Sequence, residues 1–279
     1  MKFAKYWSEI SVAVDEAIFG TNKLSAWGAS NENAEHAGFK AQERATILRQ
    51  LISRGVDALR EYEYWNGYIR EEVLDEITSG DGRVLAVLTR NCYGAIVLNT
   101  ESVLFGDIDV VEPGFLSKFL RMFGRAKKDK AFFVSKIEQY QKQNPNYTIK
   151  VYETFAGLRI VVTNQIFENY SESAKAIFSA LDVDPLYVKL CEAQSCFRAR
   201  LTPKPWRINI DRPASRFPRH EQAELNEFAS WVQKYEMASR SVSTVKLVSI
   251  FGKDFEHPDV ARVLAVHDQH SCTGLAQLA

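Results

Sequence analysis

Along the first part of the chain, small and apolar residues return every three or four positions. Ala34, Ala37, Ala41, Ala45, Leu48 and Leu51 lie on one stripe, the period of a helix with a single buried face. The stripe predicts a helix over about 33–53, with Ser30 or Asn31 as its cap and Arg54-Gly55 as its stop; glycine there supplies a left-handed terminus. Trp27-Gly28-Ala29-Ser30 resembles a strand end leading into that cap. The aromatic stretch 61–68 reads as a loop or short helix, and a second helix is predicted over 70–78. It ends at Ser79-Gly80-Asp81-Gly82, the clearest turn cluster in the sequence. The first 80 residues therefore read as mostly helical.

Beyond the cluster the texture becomes short and β-rich. The segments 84–89, 95–99 and 102–110 follow one another closely, with turns at 91–94 and 100–101, and predict an antiparallel meander. Helices are predicted over about 114–123 and 131–143, with a basic loop at 125–130 between them. The segments 147–154 and 158–163 flank Phe155-Ala156-Gly157 and form a hairpin signal. A helix over 173–181, a Pro-containing basic region over 182–207, a long helix over 221–239, a strand over 245–251 and a helix over 258–266 complete the chain. The fold class is α+β. A helical N-terminal part, 1–80, precedes a core, 81–279, with an antiparallel or mixed sheet.

Composition narrows the functions. The 279 residues carry 35 basic and 35 acidic side chains, with 46% hydrophobic and 25% charged residues. This is neither a disordered chain nor a strongly basic nucleic-acid coat. Any nucleic-acid contact must come from a local patch. No apolar run approaches the roughly 18 residues that cross a bilayer, and the first twenty residues hold acids inside their apolar stretch. Cys92, Cys191, Cys196 and Cys272 form no C-x-x-C pair. They read as reduced thiols of a cytoplasmic protein without membrane partners.

Four stretches carry candidate chemistry. In Phe105-Gly106-Asp107-Ile108-Asp109-Val110, alternation along a strand turns Asp107 and Asp109 the same way. Two carboxylates on one face repel unless a cation sits between them, and magnesium or manganese suits oxygen ligands. The other reading puts both acids on the solvent face of an edge strand, although the strand is otherwise apolar and looks central. Arg159 opens an apolar strand just after Gly157; it is a phosphate fork or an exposed strand end. Arg198, Arg200, Lys204 and Arg207 cluster around Trp206, a stacking surface, as a polyphosphate site or as a solvated basic loop. Asp182 and Asp184 precede Pro185; they cap and turn, or one of them supplies a third carboxylate. His267-Asp268 and His270 read as a polar tail or a metal pair.

The order of these features resembles the archaeo-eukaryotic primase superfamily, which includes the primase-polymerases. FGDIDV (105–110) is similar to its metal-binding Asp-x-Asp strand. ETFAGLR (153–159) stands where a Ser-x-His or Gly-x-His strand belongs, with Arg159 in place of the histidine. Asp184 and FRARLTPK (197–204) resemble the third acid and the phosphate-binding stretch. The likeness covers about 100–204. It implies a metal-dependent nucleotidyltransferase acting on nucleoside triphosphates and on single-stranded or primed nucleic acid. Asp107, Asp109 and Asp184 would be its catalytic acids, Asp107 and Asp109 its magnesium or manganese ligands, and Arg159, Arg198, Arg200 and Lys204 its substrate-binding residues. The alternatives are a non-catalytic nucleotide or nucleic-acid binding module and a metal-dependent phosphoesterase. The chain is also similar to a set of bacterial proteins of unknown function that share TRN-x-YGA-x-VLNT and FRARLTPKPWR.

Overall fold

The structure is a computed structural model that describes residues 1–56, 59, 68–110, 128–168, 171–253 and 255–279. The chain is α+β and divides into two compact units, Met1–Arg70 and Glu71–Ala279.

In the first unit β1 (Tyr6–Ala13) and β2 (Lys23–Ser30) form an antiparallel hairpin around a one-turn helix, α1 (Glu16–Phe19). The long helix α2 (Ala34–Ile52) buries Ala37, Ala41, Ala45 and Leu48 of the predicted stripe. Its cap is Asn33, whose side chain accepts the His36 N–H at 2.7 Å. Small residues on the stripe let the helix press onto the strand backbone. A Cβ added at Gly28 would lie 2.0 Å from the Ala37 carbonyl. The hairpin was not foreseen, because serine and glutamate interrupt the apolar positions of β1. Most of the 61–68 stretch lies outside the described residues.

The second unit contains β3 (Glu72–Thr78), β4 (Val84–Arg90), β5 (Ile96–Thr100), β6 (Phe105–Asp109), α3 (Lys130–Gln143), β7 (Ile149–Thr154), β8 (Gly157–Val162), α4 (Glu172–Ala180), α5 (Pro185–Gln194), β9 (Phe197–Arg200), α6 (Gln222–Ser239), β10 (Val245–Phe251) and α7 (Pro258–Ser271). Two antiparallel four-stranded sheets run β3-β4-β5-β9 and β10-β7-β8-β6. The segment 70–78 is thus a strand rather than a helix. Its helix-compatible glutamates and leucine are overridden by pairing with β4. The meander stops after two strands, since β6 leaves β5 and pairs with β8 in the other sheet. The region 182–207 holds a helix and a strand that its prolines had hidden. The helix expected over 114–123 lies outside the described residues.

β6 is the last strand in its sheet's hydrogen-bonded order, not a central one. Its outer edge lies against β9, the last strand of the other sheet. Tyr187 of α5 sutures this seam. Its hydroxyl donates to the Phe105 carbonyl at 2.8 Å and accepts the Arg198 N–H at 3.2 Å. Phe105, Ile108, Leu158, Ile160, Phe197 and Ala199 pack into one core beneath it. Among the described residues no helix is long and apolar enough to cross a membrane.

Candidate functional site

The seam carries the polar residues. Strand alternation buries Ile108 and turns Asp107 and Asp109 outward, Asp107 half-buried and Asp109 exposed. Antiparallel register then sets Arg159 of β8 directly across from Asp107, with Tyr152 of β7 next in the row. The Arg159 side chain is 2% exposed. Its Nε donates to Asp107 Oδ1 at 2.8 Å and its Nη2 to Oδ2 at 3.2 Å. Its Nη1 donates to the Arg200 carbonyl at 2.9 Å and lies 3.3 Å from His267 Nε2. Burial weakens the Arg159 charge, but Asp107 more than offsets this and holds the guanidinium above its ordinary pKa.

Behind Arg159 the network continues into α7. His267 Nδ1 lies 2.8 Å from Asp268 Oδ1, and the Tyr152 hydroxyl donates to Asp268 Oδ2 at 3.2 Å. Burial pushes the His267 pKa down, with Arg159 adding to the effect against the pull of Asp268. The ring is therefore neutral, with Nδ1–H donating to Asp268 and Nε2 accepting from Arg159. Where a polar tail was expected, His267 is instead buried and Asp268 half-exposed, because α7 runs on to Ser271 and sets His267 beside Arg159 of β8.

Asp184 joins Asp107 and Asp109. It caps α5, its Oδ1 accepting from Leu186 N–H at 3.1 Å and its Oδ2 from Tyr187 N–H at 3.2 Å. Its own N–H donates to the Asp107 carbonyl at 2.9 Å, which ties the helix start to β6. Asp182 turns away to Lys136, 2.7 Å distant. Partial burial raises the Asp109 pKa, and the Asp184 and Asp107 carboxylates raise it further against the pull of Lys204 and Arg207.

The three acids converge, but a magnesium or manganese centre fits them poorly as placed. Each oxygen of Asp107 already accepts from Arg159 and each of Asp184 from a helix N–H group. An ion that takes about six oxygens, several of them waters, would share Asp107 with a resident guanidinium whose charge opposes it. Among the described residues no three His, Cys, Asp or Glu side chains are grouped to hold a metal ion.

The basic residues separate into two sets. Arg198 is buried away from the acids. Its Nη2 lies 2.7 Å from both oxygens of Glu71, and its Nη1 donates to Gln194. It belongs to the core because β9 alternation points it oppositely to Ala199, into the sheet face that holds Glu71 and Thr89. Arg200, Lys204 and Arg207 remain near the acids, and none forms an ion pair among the described residues. Burial lowers the Arg200 pKa to about 10; Tyr93 opposes this, and the Arg159 and Arg207 charges add to it. Lys204 is lowered by burial and then by Arg200 and Arg207.

Aromatic rings interleave these cations. Trp206 is 44% exposed. Lys204 Nζ stands 5.6 Å and the Arg212 guanidinium 4.7 Å from its ring, and Tyr93 meets it edge-on at 5.4 Å. Arg207 lies 4.1 Å over Phe155, an exposed ring in the β7–β8 turn. Trp206, Ile210, Asp211 and Arg212 line an open pocket of about 500 Å³. Tyr93, Arg212 and Glu71 escaped the sequence reading, Phe155 was read only as part of a turn, and His267 and Asp268 only as a polar tail or a metal pair. Their partners lie far along the chain, and no local spacing announces them. Comparison with family models, with curated proteins and with solved structures returns no match to this chain.

Proposed function

We propose that this protein is a non-catalytic binding module for phosphate-bearing nucleotide ligands, either nucleotides or nucleic acid. One observation carries the reading. Arg200, Lys204 and Arg207 are gathered with no ion pair among the described residues, all three lowered first by burial and the first two also by neighbouring cations, beside the exposed rings of Trp206 and Phe155. Like charges held together in partial burial are relieved by an anion. Exposed rings among them offer stacking surfaces for bases. The resemblance to primase-polymerases supports the same ligand class. The free thiols go with a reducing compartment, so the cytoplasm is the proposed location.

Fluorescence anisotropy with a labelled single-stranded oligonucleotide, and tryptophan quenching by nucleoside triphosphates, test this. Lys204→Ala combined with Arg207→Ala should weaken binding about tenfold or more, roughly 1.4 kcal/mol, with an unchanged circular dichroism spectrum. Unchanged affinity refutes the reading. The convergence of Asp107, Asp109 and Asp184 favours a second reading, a metal-dependent nucleotidyltransferase of primase-polymerase type. Primer extension or dinucleotide synthesis in manganese, lost in Asp109→Asn, would put that reading first. Release of phosphate or mononucleotide would point to a phosphoesterase.

A further inference from the structure

We infer that Arg159 is the resident cation of the acidic face, and that the face takes its phosphate ligand directly, with no divalent ion between carboxylate and phosphate. The second half of this statement rests on the proposed binding function. The first half rests on geometry alone.

A guanidinium has five N–H donors in a fixed fork. Those of Arg159 reach both Asp107 oxygens, the Arg200 carbonyl and His267 Nε2. The side chain is almost fully enclosed, so water cannot replace these partners. Swinging Arg159 aside would strand the Arg200 carbonyl and the His267 ring nitrogen in the core, each a costly loss. His267 is itself held by Asp268, and Asp268 by Tyr152. The cation is thus fixed by partners on four elements, β6, β7, β9 and α7. A divalent ion would have to share Asp107 with this bidentate pair, against the charge of a guanidinium that cannot move away.

Charge around the face points the same way. Arg159 neutralises Asp107, and the start of α5 holds both oxygens of Asp184. Among the described residues Asp109 and Asp184 are left to oppose Arg200, Lys204 and Arg207. The remaining balance is positive, so a phosphate is attracted without a metal to screen the carboxylates.

The test uses the full chain, with manganese alone and inorganic triphosphate as probes. Electron paramagnetic resonance should show wild-type protein leaving manganese free. Calorimetry should give a triphosphate affinity in chelator within about twofold of that in manganese. Arg159→Met keeps the apolar stem and frees Asp107. It should gain manganese binding that a second change, Asp109→Asn, removes. Manganese binding by the wild type that Asp109→Asn abolishes overturns the inference. So does a triphosphate affinity that falls about tenfold in chelator, which leaves the binding function intact. A folded Arg159→Met that stays silent to manganese overturns the part assigned to Arg159. The wild-type measurements decide the matter if that variant does not fold. Failure of both triphosphate and oligonucleotide to bind under either condition sinks the inference together with the proposed function.

Discussion

Arg159 carries a full charge where water does not reach, and Asp107 is the carboxylate that answers it. Removing the partner of a buried charge is far more damaging than never having buried the pair. Asp107→Ala should therefore lower stability by about 3 kcal/mol, the low end for such losses because Asp107 itself is 33% exposed; urea denaturation measures it. His267 gives a pH signature. Burial first, and then Arg159, hold its folded pKa below the ordinary 6.5. Above that value neither folded nor unfolded chain binds the proton, and the neutral ring's contribution is fully present. As pH falls below about 6.5 the unfolded chain takes the proton first, and stability drops toward the depressed folded value. Urea midpoints compared between about pH 7 and pH 5 should fall more steeply for the wild type than for His267→Gln.

At the scale of elements, the acids are aimed by two strand contacts and one helix start. Gly157 pairs with Asp109, and a Cβ there would stand 1.9 Å from the Ile108 carbonyl. Backbone cannot yield as a side-chain tip does. Gly157→Ala should lose about 3 kcal/mol, the upper end for overpacking, and weaken ligand binding with it; thermal unfolding and the anisotropy assay report both. Asp184 separates a cap from a metal ligand. Asp184→Ala should lose about 1 kcal/mol, and Asp184→Asn, which also caps, should remain within about 0.5 kcal/mol of the wild type. A loss of ligand binding in Asp184→Asn at unchanged stability would assign the carboxylate a role beyond the cap. The sequence made the Asp107–Asp109 alternation readable, because strand geometry is local. It did not show β6 crossing to the other sheet, since short β-rich runs carry no label for their partners. The 70–78 strand was hidden for a related reason. Its charged residues suit an exposed edge as well as a helix, and only β4 chooses between them.

For the whole molecule, equal numbers of acids and bases leave no global field to draw in a polyanion. Binding should depend on the local cations alone. About three phosphate contacts imply a slope near −2 for log affinity against log salt on a single strand, falling toward about −1 in the Lys204→Ala, Arg207→Ala variant. A salt titration of the oligonucleotide complex reads this directly. The second unit draws its core and every named site residue from within Glu71–Ala279. A chain of those residues should fold with a cooperative urea transition and keep the ligand affinity.

Periodicity and composition determined the α+β class, the stripe of the long N-terminal helix, the β7–β8 hairpin, the last long helix and strand, and the shared side of two acids along one strand. These follow from neighbours a few residues apart, which the sequence places side by side. Tertiary structure alone decided what stands opposite those acids. Arg159 lies 52 residues from Asp107, and His267 lies 108 from Arg159. A guanidinium reads alike in sequence whether it faces solvent, a phosphate or a buried carboxylate. Strand register and burial chose the carboxylate for Arg159 and Arg198, and left Arg200, Lys204 and Arg207 without one among the described residues.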